Sequence, residues 1–416
     1  MKAGVFPGTQ EARELTVVQK FGGTCLDTKE KRQLACDRIQ EALDNGFRVL
    51  AVVSAMGRRG EPYATDTLIA LAKGISKDIA PRESDLLLSC GEIISAVLMV
   101  QELKTRNIPA MALSGGQAGI LTDTNFGDAR IVAINSTHVK RHLDEGKVVV
   151  VAGFQGMAES GDITTLGRGG SDTTAAALGG ALSARCVEIY TDVEGIMTAD
   201  PKMVRSAKTI PFVTYDEVVH LALEGAKVIH PLAVQIARKA QIPVRVRSLS
   251  ADSRETVIGS GEDRETPWLF LRNDNPVTGI TYVSGLAHVV LNVCPADQMK
   301  RLTGILHSVA DISLDVINVF PDRLSFAIGE DLVEELLSRL GHMRNSADIQ
   351  TGKAKVTVIG HGMHGRAGVM SNVAIALAQE DIRIFASSDS NITISCLIEQ
   401  DCLHKAVNAL HDAFGL

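Results

Sequence analysis

The sequence predicts an α/β protein: a largely parallel sheet sandwiched by helices, followed by two small ferredoxin-like modules. Two observations carry this. Continuous Val-rich runs alternate with helical periodicity through the first 250 residues, the pattern of strands buried on both faces. Beyond them, residues 302–319 (LTGILHSVADISLDVINV) return in pattern 68 positions later as 370–387 (MSNVAIALAQEDIRIFAS).

Residues 1–15 are polar, carry Gly and Pro, and read as a flexible N-terminal arm. The run 15–19 (LTVVQ) is a strand ending at Lys20 and a glycine pair. Residues 29–43 have helical spacing, with Leu34, Ile39 and Leu43 among the apolar positions, and 49–53 (VLAVV) is a buried strand. A long helix over 86–103, strands at 110–113 and 147–152 (KVVVVA), an Ala-rich helix over 173–182 and a strand at 186–191 continue the alternation. The catalytic unit is expected over 16–250, closing near 244–248, and the charged, turn-rich stretch 251–276 reads as a linker. Each repeat then follows the order β-α-β-β-α, which divides the remainder into modules at 277–346 and 347–416.

Composition excludes several functions. The chain has 416 residues and a net charge of −7, from 42 Lys+Arg against 49 Asp+Glu, with only 4% aromatics. A nucleic-acid binder would need the opposite balance and stacking rings. Seven widely spaced cysteines, with no CxxC or Cys/His ligand spacing, argue against a disulfide scaffold or structural zinc and for reduced thiols in the cytoplasm. No signal-peptide core precedes the first strand and no uninterrupted apolar run reaches 18 residues, so no membrane partner is expected.

Four segments carry chemistry. Lys20-Phe21-Gly22-Gly23-Thr24 lies where a strand stops and a helix is about to start. Glycines there let backbone N–H groups approach a phosphate, and the lysine adds a point charge. An ordinary βα turn explains this short motif about as well. Gly167-Arg168-Gly169-Gly170-Ser171-Asp172-Thr173-Thr174 is more informative. Its arginine can fork onto a carboxylate, and Asp172 can orient lysines or a metal-bound phosphate; a helix cap explains one of its residues only. Thr191-Asp192-Val193-Glu194-Gly195 and Thr198-Ala199-Asp200-Pro201-Lys202 follow a buried strand, where α/β sheets bind ligands, although a hydrogen-bonded turn is the alternative. Lys227, in Gly225-Ala226-Lys227-Val228-Ile229-His230-Pro231, is a second cation; isolated lysines are more often solvated. Ser54-Ala55-Met56-Gly57 ends a strand, and Glu92 after Gly91 could meet a substrate amine.

In this order these segments resemble the signatures of aspartate kinases, and the tandem repeat resembles their paired ACT domains. The resemblance spans residues 16–416, and the insertion-bearing stretch 54–71 (RRGEPYATD within it) resembles the diaminopimelate-sensitive isozymes of Bacillus-type bacteria. It implies an amino-acid-kinase fold, ATP with Mg²⁺, and phosphorylation of the L-aspartate β-carboxylate, the feedback-controlled step toward lysine, methionine and threonine. Carried over, Lys20 and Lys227 would stabilise phosphoryl oxygens, with Gly22 and Gly23 donating N–H groups and Asp172 holding the lysines. Arg168 would clamp the aspartate α-carboxylate and Glu92 would meet its ammonium. Thr65, Phe154 and Ser171 would line the pocket, while Ser54, Thr191, Asp192, Thr198 and Lys202 would surround the nucleotide. No protein metal ligand is implied. A homodimer or higher homo-oligomer through the ACT modules is expected, with diaminopimelate as effector, lysine and threonine being the alternatives.

Departures from the family pattern are Cys25 for serine, Lys202 for arginine, and Cys294-Pro295-Ala296-Asp297-Gln298 in place of an Asp-x-Pro-Gly loop. The family also contains chains with one ACT module inserted in the other, which would place strand residues 278–282 with the second copy. The rival readings are another kinase of this fold, or a catalytically silent amino-acid sensor; the sensor would be expected to lose Lys20, Arg168 or Asp172.

Overall fold

The computed structural model describes residues 15–226, 228–250, 254–260, 275–292, 303, 307, 309, 311–363 and 366–416. They form two compact units. The expected arm at 1–15 except Leu15, most of the linker, Lys227 and the 294–298 loop lie outside the described residues.

The first unit runs β1 (Thr16–Phe21), α1 (Lys29–Asp44), β2 (Arg48–Val53), α2 (Thr65–Lys73), α3 (Pro81–Thr105), β3 (Ala110–Leu113), β4 (Ile120–Thr122), β5 (Ile131–Ile134), α4 (Thr137–Asp144), β6 (Val148–Ala152), β7 (Gln155–Ala158), β8 (Ile163–Thr165), α5 (Gly170–Leu182), β9 (Cys186–Thr191), β10 (Phe212–Thr214), α6 (Tyr215–Leu223), α7 (Pro231–Ala240), β11 (Val244–Ser248) and β12 (Glu255–Gly259). The main sheet has the order β10-β12-β11-β9-β1-β2-β6-β3 and is parallel except for the β11–β12 pair. Every residue of β6 is buried, which is why its side chains read as an unbroken Val run rather than an alternation. A second sheet, β5-β4-β7-β8, stands beside it.

Helix α5 lies close on the main sheet because it is built from Gly and Ala. A Cβ at Gly179 would sit 2.7 Å from Val187 Cγ2, so any larger residue would push the helix off β9. Helix α3 begins with Pro81 at its first turn, where the missing N–H costs nothing. By length and composition α3 could cross a membrane. In this fold it packs on β3, β6 and β8, and its buried face carries Asp85, Ser89 and Glu92 among the apolar residues.

The second unit contains β13 (Val277–Asn292), β14 (Asp315–Val319), β15 (Arg323–Gly329), α8 (Val333–Leu340), β16 (Ala347–Gly360), α9 (Val369–Gln379), β17 (Ala386–Asp389), β18 (Thr393–Glu399) and α10 (Leu403–Ala413) in its described part. One antiparallel sheet runs β14-β15-β13-β16-β18-β17. Strand β13 serves two cores. Its second half gives Ala287, Val289 and Leu291 to a cluster with Phe326, Ile328 and Leu336. Its first half gives Val277 and Ile280 to a cluster with Val356, Leu377 and Leu410, so strand residues 278–282 do stand with the second copy.

This unit also takes in Met197–Lys208 and His220–Ala226, from inside the stretch expected to form the catalytic unit. Ala199 and Val204 are buried in the second core. The Ile280 N–H donates to the Thr198 carbonyl at 2.7 Å, and Asn408 Nδ2 donates to the Met203 carbonyl at 3.0 Å. Lys355, almost fully buried, is neutralised by Glu224 at 2.7 Å and by Asp315, as a buried ammonium requires.

Candidate active site

Lys20 is the penultimate residue of β1, between β2 and β9 in parallel register with Val52 and Ile189. Phe21 then turns inward and stacks on Tyr190, ring centroids 4.9 Å apart. Pairing continues one step further, since the Gly22 N–H donates to the Tyr190 carbonyl at 3.2 Å. At Gly23 the chain meets the turn after β2: the Gly57 N–H donates to the Gly23 carbonyl at 3.1 Å. A Cβ at Gly23 would lie 2.4 Å from the Ala55 carbonyl oxygen, so only glycine permits this approach.

Side chains alternate along a strand, so Lys20 and Gln19 leave opposite faces of the sheet. Lys20 reaches α5, where its Nζ lies 2.7 Å from Asp172 Oδ1, both side chains 12% exposed. The other oxygen, Oδ2, accepts a long 3.4 Å bond from the His230 N–H at the head of α7. Asp172 thus fixes a lysine at the carboxyl end of the sheet. The opposite face, by contrast, carries a cleft of about 880 Å³ floored by Gln19, Glu188, Tyr190 and Arg247. There Glu188 accepts from Gln19 and Tyr190, each at 2.9 Å, and stands away from the glycine turns.

The loop entering α5 is shaped by Gly167 (φ +67°) and Gly169 (φ +66°), which leave Arg168 exposed between them. A Cβ at Gly169 would fall 2.3 Å from His230 Cβ, in a left-handed conformation that side chains resist. Gly169→Ala is therefore expected to cost about 1–3 kcal/mol and to lower kcat/KM by displacing Arg168 and Asp172. Gly161→Ala is the control, with φ +88° and open space around it. Thermal denaturation and initial rates compare the two, and equal behaviour would remove the steric argument.

Phe154, half-buried, is a non-glycine residue at φ +67°. Its N–H donates to Thr174 Oγ1 at 3.2 Å and its carbonyl accepts from Leu166 at 2.9 Å, so α5 holds it in the strained conformation. Ser171 is buried beside Gly153, and Thr65, half-buried, opens α2. Glu92 is 3% exposed. Its Oε1 accepts from the Ala55 N–H at 3.1 Å, while Oε2 has no hydrogen-bond partner among the described residues. Burial pushes its carboxyl up to about 8. Gly91 makes this possible, since a Cβ there would meet Ala55 Cβ at 2.8 Å.

Ser54, half-buried at the end of β2, is held by its N–H bond to the Phe21 carbonyl at 3.1 Å. Thr191 ends β9, and Asp192, exposed, pairs with Arg58 at 2.5 Å. Lys20, Gly22, Gly23, Ser54, Glu92, Phe154, Ser171, Asp172 and Thr191 therefore lie on elements joined around the carboxyl ends of β1, β2, β6 and β9. Thr198 and Lys202 belong to the other unit. Thr198 is buried, its hydroxyl 3.0 Å from His411 Nε2 and accepting from the Lys208 N–H at 3.1 Å, and Lys202 is exposed.

Sequence reasoning missed Asp85. It accepts from Thr165 N and Oγ1, both at 2.8 Å, and from Gly127 N at 3.0 Å, which pins the entry to the Gly167–Gly170 loop. Only part of the signal lies in the sequence: 85 and 92 are two helical turns apart on one buried face, but the partners of Asp85 are 42 and 80 positions away. Cys25 is buried and its thiol is pushed up to about 11, mainly by desolvation, so it is no nucleophile.

An open α/β sheet with a fixed lysine and glycine turns at its carboxyl end, followed by paired small β-α modules, defines a kinase-type catalytic unit with a regulatory unit. Residues 15–248 match the Amino acid kinase family and residues 356–414 match an ACT domain. The chain is 42% identical over 404 residues to Aspartokinase 1 of Bacillus subtilis, covering 96% of this chain and 99% of that one. It also superposes on E. coli aspartokinase III in complex with aspartate and ADP, with a TM-score of 0.75, 25% identity, and coverage of 96% and 100%. The same enzyme in complex with lysine and aspartate gives a TM-score of 0.72 at 26% identity, covering 96% and 99%. The chain belongs to the aspartokinase family, the aspartate kinases that carry ACT domains.

Proposed function

We propose that the chain transfers the γ-phosphoryl group of ATP to the β-carboxylate of L-aspartate, giving 4-phospho-L-aspartate, under control of an amino acid bound at its ACT modules. The observation that carries this is the arrangement around β1: a lysine held by Asp172 beside glycine turns, with a buried carboxyl oxygen of Glu92 that has no partner among the described residues.

The nucleophile needs no general base, because a carboxylate is ionised at neutral pH. The residues' work is positioning and charge neutralisation. In this reading Lys20 faces the transferring phosphoryl oxygens, aided by Gly22, Gly23 and Lys227. Arg168, free in solvent on its two left-handed glycines, forks onto the α-carboxylate. Glu92 Oε2 receives the α-ammonium, and Thr65, Phe154 and Ser171 shape the pocket. Ser54, Thr191 and Asp192 serve the nucleotide, while Thr198 and Lys202, which the second unit holds, drop out of that set. Among the described residues no three His, Cys, Asp or Glu side chains form a metal cage. Mg²⁺ fits this chemistry as an ion carried on the nucleotide phosphates, where it supplies further neutralisation.

In this reading residues 16–250, apart from Met197–Lys208 and His220–Ala226, form the catalytic sequence, and 277–416 with those two segments form the regulatory one, with 251–276 between them. Assembly into homodimers through the ACT modules, diaminopimelate as effector and a cytoplasmic setting complete the reading; the six cysteines among the described residues are all free thiols. The test is hydroxamate formation from aspartate, ATP and hydroxylamine, with glutamate as control, repeated with diaminopimelate, lysine and threonine. Product with glutamate alone would overturn the substrate. A response to lysine or threonine but not diaminopimelate would overturn the effector.

A further inference from the structure

Helix α4 presents His138 and His142 one turn apart, their Nε2 atoms 3.1 Å from each other. Both Nδ1 atoms are committed. His138 Nδ1 lies 3.1 Å from the Gln117 carbonyl oxygen, and His142 Nδ1 lies 3.0 Å from Glu145 Oε2. A carbonyl oxygen can only accept. The Glu145 carboxylate, which also accepts from Lys147 Nζ at 2.8 Å, can only accept as well. Each ring therefore carries its proton on Nδ1 when neutral, and two Nε2 lone pairs face each other at contact distance. Two bare lone pairs repel at that distance unless a proton, a metal ion or a neighbouring cation such as the Arg141 guanidinium lies against them.

The spacing fits a metal ion in that place. With metal–nitrogen bonds of about 2.0–2.1 Å, a 3.1 Å separation corresponds to a ligand–metal–ligand angle of roughly 95–100°, between octahedral and tetrahedral values. The surroundings are those of a metal-binding histidine pair: one ring is oriented by a carboxylate and the other by a backbone carbonyl. An adjoining cleft of about 370 Å³, lined by Gln117, Asn135, His138 and Arg141, leaves room for water ligands. The guanidinium of Arg141, 3.3 Å from His142 Nε2, now stands at the edge of the position, and Arg141 is exposed enough to swing aside.

We propose that His138 and His142 form a cis-chelating site for a borderline divalent cation of the Ni²⁺, Cu²⁺ or Zn²⁺ kind, independent of the phosphoryl-transfer site. Imidazole suits these ions, and water completes their coordination, because among the described residues no third His, Cys, Asp or Glu joins the pair.

The test is calorimetric titration of Ni²⁺ into the full chain in a non-chelating buffer. One equivalent is expected to bind. His138→Gln and His142→Gln should each weaken it by more than about tenfold, and Glu145→Ala by about 10- to 100-fold, since loss of an orienting carboxylate costs that much. His138 is half-buried, so His138→Gln keeps a readable fold even if the buried His142 does not tolerate change. Cys90→Ser, an exposed thiol, should leave the affinity unchanged. No uptake, equal affinity in His138→Gln, or a loss in Cys90→Ser alone would each overturn the proposal and leave the two rings sharing a proton.

Discussion

Lys20→Ala is expected to lower kcat by about 10²- to 10³-fold, the range for removing one charge-stabilising donor from a preorganised site. The loss should fall on turnover more than on the KM for aspartate, because Lys20 is assigned to the phosphoryl group. The substitution also strips Asp172 of its cation in a place where both side chains are only 12% exposed. A stability loss of about 1–3 kcal/mol follows from leaving that carboxylate short of a charged partner. Lys20→Ala combined with Asp172→Asn separates the two effects: stability should partly return while turnover does not. Full turnover in Lys20→Ala would sink the assignment, whatever its melting temperature.

Glu92→Gln has the second large effect, and its sign depends on pH. Burial raises the folded carboxyl to about 8 from an unfolded value of 4.5, so the fold favours the protonated form. Its contribution is fully present below the unfolded value and is lost as pH rises through about 8. The penalty at alkaline pH is on the order of 5 kcal/mol, which Glu92→Gln would remove. The variant should therefore melt higher than the parent above pH 8 and match it near pH 4. Substrate reverses the balance. An α-ammonium beside Oε2 favours the carboxylate, so aspartate binding near pH 7 should release a proton, and KM for aspartate should fall up to about tenfold per unit from pH 6 to 8. Glu92→Gln should raise KM and flatten that profile. Initial rates across pH, with calorimetry in buffers of different ionisation enthalpy, measure both. An unchanged KM with an unchanged profile would detach Glu92 from the ammonium.

Much of this site is visible in the chain before it folds, for a physical reason. Strands buried on both faces must be written as apolar runs, so 49–53 and 147–152 announce the sheet. Glycines where backbone meets backbone mark Gly22–Gly23 and Gly167–Gly170. Asp85 was hidden because its role depends on a strand and a turn far along the chain; helical periodicity shows its face but not its partners. Phe154 gives no sign of its left-handed backbone, since only Thr174 and Leu166, brought there by the fold, impose it. Thr198 and Lys202 read as loop residues after a strand, yet Thr198 spends its hydroxyl on His411, 213 positions away. Local sequence cannot announce a bond of that length.

That bond has a consequence for how the protein is made. The segment Met197–Lys208 leaves the ribosome long before β13 and α10, against which its apolar residues finally rest. Lys208 Nζ donates to the carbonyl of Leu416, 208 positions further on, at 3.2 Å. Contacts this distant in sequence require late loop closure and slow the search for the native state. The regulatory unit can complete its core only once α10 has been made, while a stretch from the middle of the kinase sequence waits uncovered. Synthesis therefore includes a half-finished interval in which Ala199 and Val204 are exposed to whatever else is in the cell.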